Sequence, residues 1–132
     1  MVTSHQAWSV EAATVILQAM PAEERLMLPA LQRIQAVFGW VPDESVPVIA
    51  RELNVSRAEV VGVLTYYHDL RQSPPPPVAV QVCVSEACQA VGARPLAASL
   101  EAVYGVPLGE TRDGVEFAKV YCLGNCALGP AA

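Results

Sequence analysis

A chain of 132 residues makes one domain, or one domain with a modest appendage. It is 53% hydrophobic and only 16% charged, against roughly 25% charged in soluble domains, which suits a protein whose surplus apolar surface a partner covers. The net charge of −5 leaves no basic patch to neutralise phosphates, which argues against nucleic acid, and no stretch approaches the ~20 apolar residues of a membrane-spanning helix.

Met1 to Gln6 carry no basic region and Glu11 interrupts any apolar run behind them, so the reading is no signal peptide and a cytoplasmic protein with reduced thiols. The pattern from Ser9 to Tyr67 is helical. Ser9 caps a first helix running toward Met20. Pro29 opens a second, in which Leu31, Ile34 and Phe38 form a stripe until Gly39 stops it. Val46, Ile49 and Leu53 repeat the stripe after Asp43. Ser56-Arg57-Ala58-Glu59 is a capping box for a fourth helix, whose face is Val60, Leu64 and Tyr67.

These four short helices define a helical domain over residues 1–71. Residues 72–77 contain four consecutive prolines, which neither continue a helix nor enter a sheet interior, and form an extended linker. The rhythm then turns to β over residues 78–132. Val78, Val80 and Val82 alternate along a strand. A helix follows from Pro95 to Tyr104, with Leu96, Leu100 and Val103 on one face and Gly105 at its end. Asp113-Gly114 then makes a hairpin turn before a strand from Val115 to Tyr121. The expected fold class is α+β or α/β, a helical bundle followed by a small sheet domain.

All four cysteines lie in this second half: Cys83 and Cys88, then 33 residues, then Cys122 and Cys126. Each pair follows a strand end. A regular helix would separate Cys83 from Cys88 by about 140°, so a loop is expected to turn both sulfurs to one point, with Gly124 and Asn125 serving the second pair through left-handed backbone. Disulfides need an oxidising compartment that nothing indicates. Structural zinc is commonly held by C-x2-C knuckles, and neither pair has that spacing; a zinc-stapled interaction module remains the alternative. Four thiolates on wider loops favour a 2Fe-2S cluster, and residues 121–132 carry no charged side chain, leaving the backbone N–H groups of Gly124, Asn125 and Gly129 to face sulfur.

Other features read as ordinary structure. Residues 53–60 superficially resemble a helix-turn-helix, but the second helix offers only Arg57 to a DNA backbone. His68 has no second histidine near it and suits a helix-end hydrogen bond. Trp8 and Trp40 suit core or interface anchoring, and Glu86 a solvated loop. There is no Gly-rich dinucleotide loop, no Walker loop and no Ser/His/Asp constellation, so NAD or FMN chemistry falls to another chain.

The pattern of Cys83 and Cys88 with Tyr121-Cys122-Leu123-Gly124-Asn125-Cys126, preceded by residues 60–68, resembles the thioredoxin-like 2Fe-2S ferredoxin family. That family includes the small flavin-adjacent subunit of respiratory complex I, its counterpart in NAD-reducing hydrogenases and the gamma subunit of NAD-dependent formate dehydrogenases. Tyr67-His68-Asp69-Leu70-Arg71 and Glu86-Ala87-Cys88-Gln89 look most like the formate dehydrogenase subunit. The resemblance implies one 2Fe-2S cluster ligated by Cys83, Cys88, Cys122 and Cys126, and no catalytic residue in this chain. It also implies a helical half docked on a flavin- and NAD-binding partner that holds FMN and NAD, and a further iron–sulfur or molybdenum subunit in the assembly. The equivalent subunit of complex I or of a hydrogenase is the alternative. Family members usually carry a further hairpin and helix after the second cysteine pair, elements not expected in the six residues that follow Cys126.

Overall fold

The computed structural model describes residues 5–132; Met1 to Ser4, part of the segment read above for a signal peptide, lie outside the described residues. The chain divides into two compact units, Met1–Pro75 and Pro76–Ala132. The first contains α1 (Val10–Gln18), α2 (Met27–Phe38), α3 (Ser45–Leu53) and α4 (Arg57–Tyr66). The second runs β1 (Val78–Cys83), α5 (Glu86–Ala90), α6 (Ala93–Tyr104), β2 (Glu110–Arg112) and β3 (Val115–Val120). The fold class is α+β. Among the described residues no helix is long and apolar enough to cross a membrane.

In the helical unit, local chemistry sets the ends of the elements. The Ser9 hydroxyl accepts the Ala12 N–H at 3.1 Å and starts α1. Gly39, at φ 83°, closes α2 in the left-handed region that an L side chain avoids. Both bonds of the Ser56–Glu59 box are formed: the Glu59 N–H donates to the Ser56 hydroxyl at 3.2 Å, and the Ser56 N–H donates to the Glu59 carboxylate at 2.8 Å. The apolar stripes meet in one core around Leu17, Leu31, Ile34, Ile49 and Val60, all fully buried. Trp8 packs its ring edge-on to Phe38 at 5.0 Å. Tyr67 departs from the expected stripe. It lies one residue past α4 in extended backbone and is exposed; a turn closed by the Leu70 N–H on the Tyr67 carbonyl brings Leu70 into the core instead.

The sheet of the second unit has the order β1-β3-β2, with β1 parallel and β2 antiparallel to β3. Asp113 (φ 50°) and Gly114 (φ 80°) both take positive φ, as the two-residue turn of a tight hairpin requires. Alternation sends Val80, Val82 and Phe117 to one face, where Ala97 of α6 and Val106 pack on them. Val103, set on one face with Leu96 and Leu100 by the sequence pattern, is 76% exposed. The face that α6 turns inward runs through Ala93, Ala97 and Leu100, and the two alanines let the helix lie close to its neighbours. The far end of this face is taken by the returning loop, where the Leu108 N–H donates to the Glu101 carboxylate at 2.8 Å.

The parallel register runs from Val78 opposite Val115 to Cys83 opposite Val120. It therefore sets the first cysteine directly beside the strand end that leads to Cys122.

The capping box yields a stability prediction. Hydrogen bonds from the Ser56 backbone and hydroxyl hold the Glu59 carboxyl below its ordinary value. A carboxylate depressed in the folded state adds stability above its unfolded pKa, and that stability is lost as pH falls through the folded value. Ser56→Ala is expected to destabilise the helical unit by about 1 kcal/mol at neutral pH. Urea unfolding should show this difference shrinking once the pH is low enough to protonate Glu59.

Candidate metal centre

The four cysteines come from two segments that the β1–β3 pairing brings to one edge of the sheet. Cys83 is the last residue of β1; its N–H donates to the Ala131 carbonyl at 3.0 Å, and the following Val84 N–H donates to Val120 at 2.8 Å. The chain then enters α5, which carries Cys88 as its third residue. This short helix stands where a plain loop was expected between the first two cysteines. Its single turn, following an extended Ser85, sends the chain back so that Cys83 and Cys88 are buried in one small cluster with Ala93 and Ala131. Cys122 and Cys126 lie beyond β3 in an exposed segment. Gly124 supplies the left-handed step there, at φ 76°, while Asn125, expected to share it, sits at φ −109° and opens a 3₁₀ turn over Cys126–Leu128.

None of the four is in a disulfide. The Cys122 and Cys126 sulfurs are 3.7 Å apart, and the Gly124 N–H donates to the Cys122 sulfur at 3.2 Å. The Cys83 sulfur lies 3.0 Å from the Ser85 hydroxyl. Ser85 hydrogen bonds, from the hydroxyl first and then the backbone N–H, bring the Cys83 thiol down to about 7 against the opposing effect of burial. Smaller contributions come from the Cys88 thiol and the Leu123 N–H, so a donor of the second loop reaches a sulfur of the first. Cys126 moves the other way. Its hydrogen bond to Cys122 and the charge of that neighbour push its thiol up, followed by burial and by the charges of Cys88 and Cys83. Cys126 thus feels the other three thiols. The four are arranged as two pairs, and among the described residues no three His, Cys, Asp or Glu side chains close on a single point as a one-ion site.

The surroundings fit an iron–sulfur cluster. The donors are soft thiols, the ligands that such clusters take, and N–H and O–H groups already point at sulfur. Gly129 leaves room beside them: a Cβ there would stand 3.0 Å from Val91 and 3.5 Å from the Cys88 sulfur. Glu86 is exposed. His68 is exposed in the other unit, where Trp8 and Trp40 are half-buried. Two features escaped the sequence reading, the helix α5 and the hydroxyl of Ser85. The signal for them was a serine followed by Glu86 in a short stretch without helical breakers, a pattern of helix starts.

Residues 13–132 match the family model described as thioredoxin-like [2Fe-2S] ferredoxin. The chain belongs to this family. Its cofactor is a single 2Fe-2S cluster. Among curated relatives, the ferredoxin is 33% identical over 106 residues to the E subunit of the NADH-quinone oxidoreductase of Pseudomonas aeruginosa, covering 79% of this chain and 64% of that protein. It is 35% identical over 106 residues to the NADH-quinone oxidoreductase subunit numbered 2 of Thermus thermophilus, covering 79% and 59%. The E subunit of the Aquifex aeolicus oxidoreductase is 32% identical over 112 residues, covering 83% and 70%. The chain thus spans less than two thirds of the length of the first two relatives. These relatives are named as subunits of an NADH-quinone oxidoreductase.

The cysteine electrostatics can be tested on the metal-free protein. The Cys83 thiol is expected to deprotonate near pH 7, below the Cys126 thiol. Ultraviolet thiolate absorbance should record this step, Cys83→Ala should remove it, and Cys126→Ala should leave it in place.

Proposed function

We propose that Cys83, Cys88, Cys122 and Cys126 hold the cluster, and that the chain is a non-catalytic electron-transfer subunit of an NAD-dependent oxidoreductase of several subunits. The observation that supports this best is two pairs of free thiols where the paired strands β1 and β3 end, with hydrogen-bond donors aimed at sulfur. When bound, the cluster supplies one-electron redox chemistry. The residues of the chain do the rest. Four thiolates ligate iron, and the N–H groups of Leu123 and Gly124 offset the charge that collects on sulfur. The buried setting of Cys83 and Cys88 keeps water from that side of the site.

The chain has no dinucleotide loop, which supports leaving NAD and FMN to a flavin- and NAD-binding partner subunit. A further iron–sulfur or molybdenum subunit completes the assembly, which works in the cytoplasm. The helical domain, residues 1–71, docks on the flavin-bearing partner through apolar side chains left exposed on its helices, Val15, Val61 and Tyr66 among them. The proline-rich residues 72–77 link it to the cluster domain, residues 78–132. The finer assignment is NAD-dependent formate dehydrogenase, supported by the resemblance of residues 67–71 and 86–89 to its gamma subunit. The names of the relatives favour a second reading, the equivalent subunit of an NADH-quinone oxidoreductase.

Each single Cys→Ala variant is expected to lose most of its iron and acid-labile sulfide and the visible absorbance that accompanies them. Wild-type iron content in any one of them removes that residue from the ligand set. For the electron-transfer role, NADH alone should leave the visible spectrum of the purified holoprotein unchanged, and NADH with the flavin subunit should bleach it. Rapid bleaching by NADH alone would mean that the chain has a nucleotide site of its own and would overturn this reading. Purification of the assembly from its source decides between the two enzymes: molybdenum and formate-dependent NAD reduction mark the first, quinone-dependent NADH oxidation the second.

A further inference from the structure

Ser85 occupies the N-cap position of α5, with the extended backbone that a capping serine adopts (φ −68°, ψ 158°), yet its hydroxyl makes no capping bond. A serine there ordinarily accepts an N–H two or three residues on. Here the oxygen instead stands 3.0 Å from the Cys83 sulfur. Backbone bonds on both sides of Ser85 hold the pair together. Cys83 is fixed by its own N–H on Ala131 and by the β1–β3 register, Val84 by its N–H on Val120, and Ser85 by the Gln89 N–H on its carbonyl at 2.9 Å. The main-chain course thus holds the two residues side by side, and the hydroxyl rotamer turns the oxygen to sulfur rather than to the helix.

We propose that the Ser85 hydroxyl is a potential-setting group of the iron–sulfur site, donating a hydrogen bond to the Cys83 sulfur that favours the reduced state. This rests on Cys83 being a ligand, as proposed above. A ligand thiolate has no proton to give, so the hydroxyl is the donor. Reduction adds one electron and no proton at this position, and Ser85 keeps its hydrogen in both states. The added negative charge is shared with the ligand sulfurs, so a donor aimed at one of them binds the reduced form more tightly. Cys83 is buried, and water cannot readily replace the lost donor. Ser85 touches a ligand and not the iron, and it acts by positioning a dipole.

The test is a redox titration of the full chain carrying its cluster, followed by electron paramagnetic resonance of the reduced form. Ser85→Ala is expected to make reduction about tenfold less favourable, a negative shift of about 59 mV for a one-electron couple. Ser85→Thr, which keeps the hydroxyl, should titrate with the wild type. If Ser85→Ala fails to retain the cluster, Ser85→Gly removes the same hydroxyl with little penalty at a cap position and should show the same shift. A role in helix capping alone would lower the melting temperature and leave the potential where it was. An unmoved potential in a fully loaded Ser85→Ala or Ser85→Gly protein overturns the proposal. Failure of the ligand assignment is read separately, from wild-type iron in Cys83→Ala.

Discussion

The parallel pairing of β1 with β3 is the constraint on which the site depends. Its register sets Cys83 opposite Val120 and sends the chain out of both strands at the same edge, so two cysteine segments 33 residues apart in sequence become neighbours in space. A slip of one residue would turn Cys83 toward the helix-covered face and push Val82 out of the core. Phe117 and Val82, both fully buried between the sheet and α6, resist that slip. The apolar face of this small sheet is thus also what aligns the thiols.

Legibility in the sequence followed the range of the forces involved. Ser9, the Ser56–Glu59 box, Gly39 and Asp113-Gly114 act within four residues of themselves, and their chemistry names the helix end or turn they make. The cysteine spacing marked two local pairs at strand ends, but the register that makes the pairs neighbours lies between strands far apart in sequence. What was not legible depends on distant neighbours. Val103 is more hydrophobic than Ala97, but it lies about 120° around α6 from it, and the face that meets the sheet is the one through Ala97. Tyr67 fits the helical period of α4, yet the turn that buries Leu70 ends the helix before it. α5 is five residues long, too short for any period to show.

The two cysteine pairs differ in setting. Cys83 and Cys88 are buried, and Cys83 draws donors from Ser85 and from Leu123 of the other segment. Cys122 and Cys126 are exposed, with Gly124 as the donor to Cys122 and with Tyr121 (79% exposed) and Leu128 (75% exposed) on either side. The hydrogen bond to Cys122, and then the charges of its neighbours, raise the Cys126 thiol, whereas hydrogen bonds from Ser85 lower that of Cys83. Donors thus lower a buried thiol of one pair, and the interaction of neighbouring thiols raises an exposed thiol of the other.

That division has an energetic consequence. A hydrogen bond to sulfur weakens as the surrounding medium becomes more polarisable, because water competes for the same acceptor. Donors of similar geometry therefore count for more at Cys83, inside the protein, than at Cys122, at its surface. The second segment meets the same need in another way. Residues 121–132 carry no charged side chain, so no fixed carboxylate in this stretch adds to the negative charge of its two thiolates. The first pair relies on donors set against a buried sulfur, and the second adds to its Gly124 donor a stretch free of charged side chains.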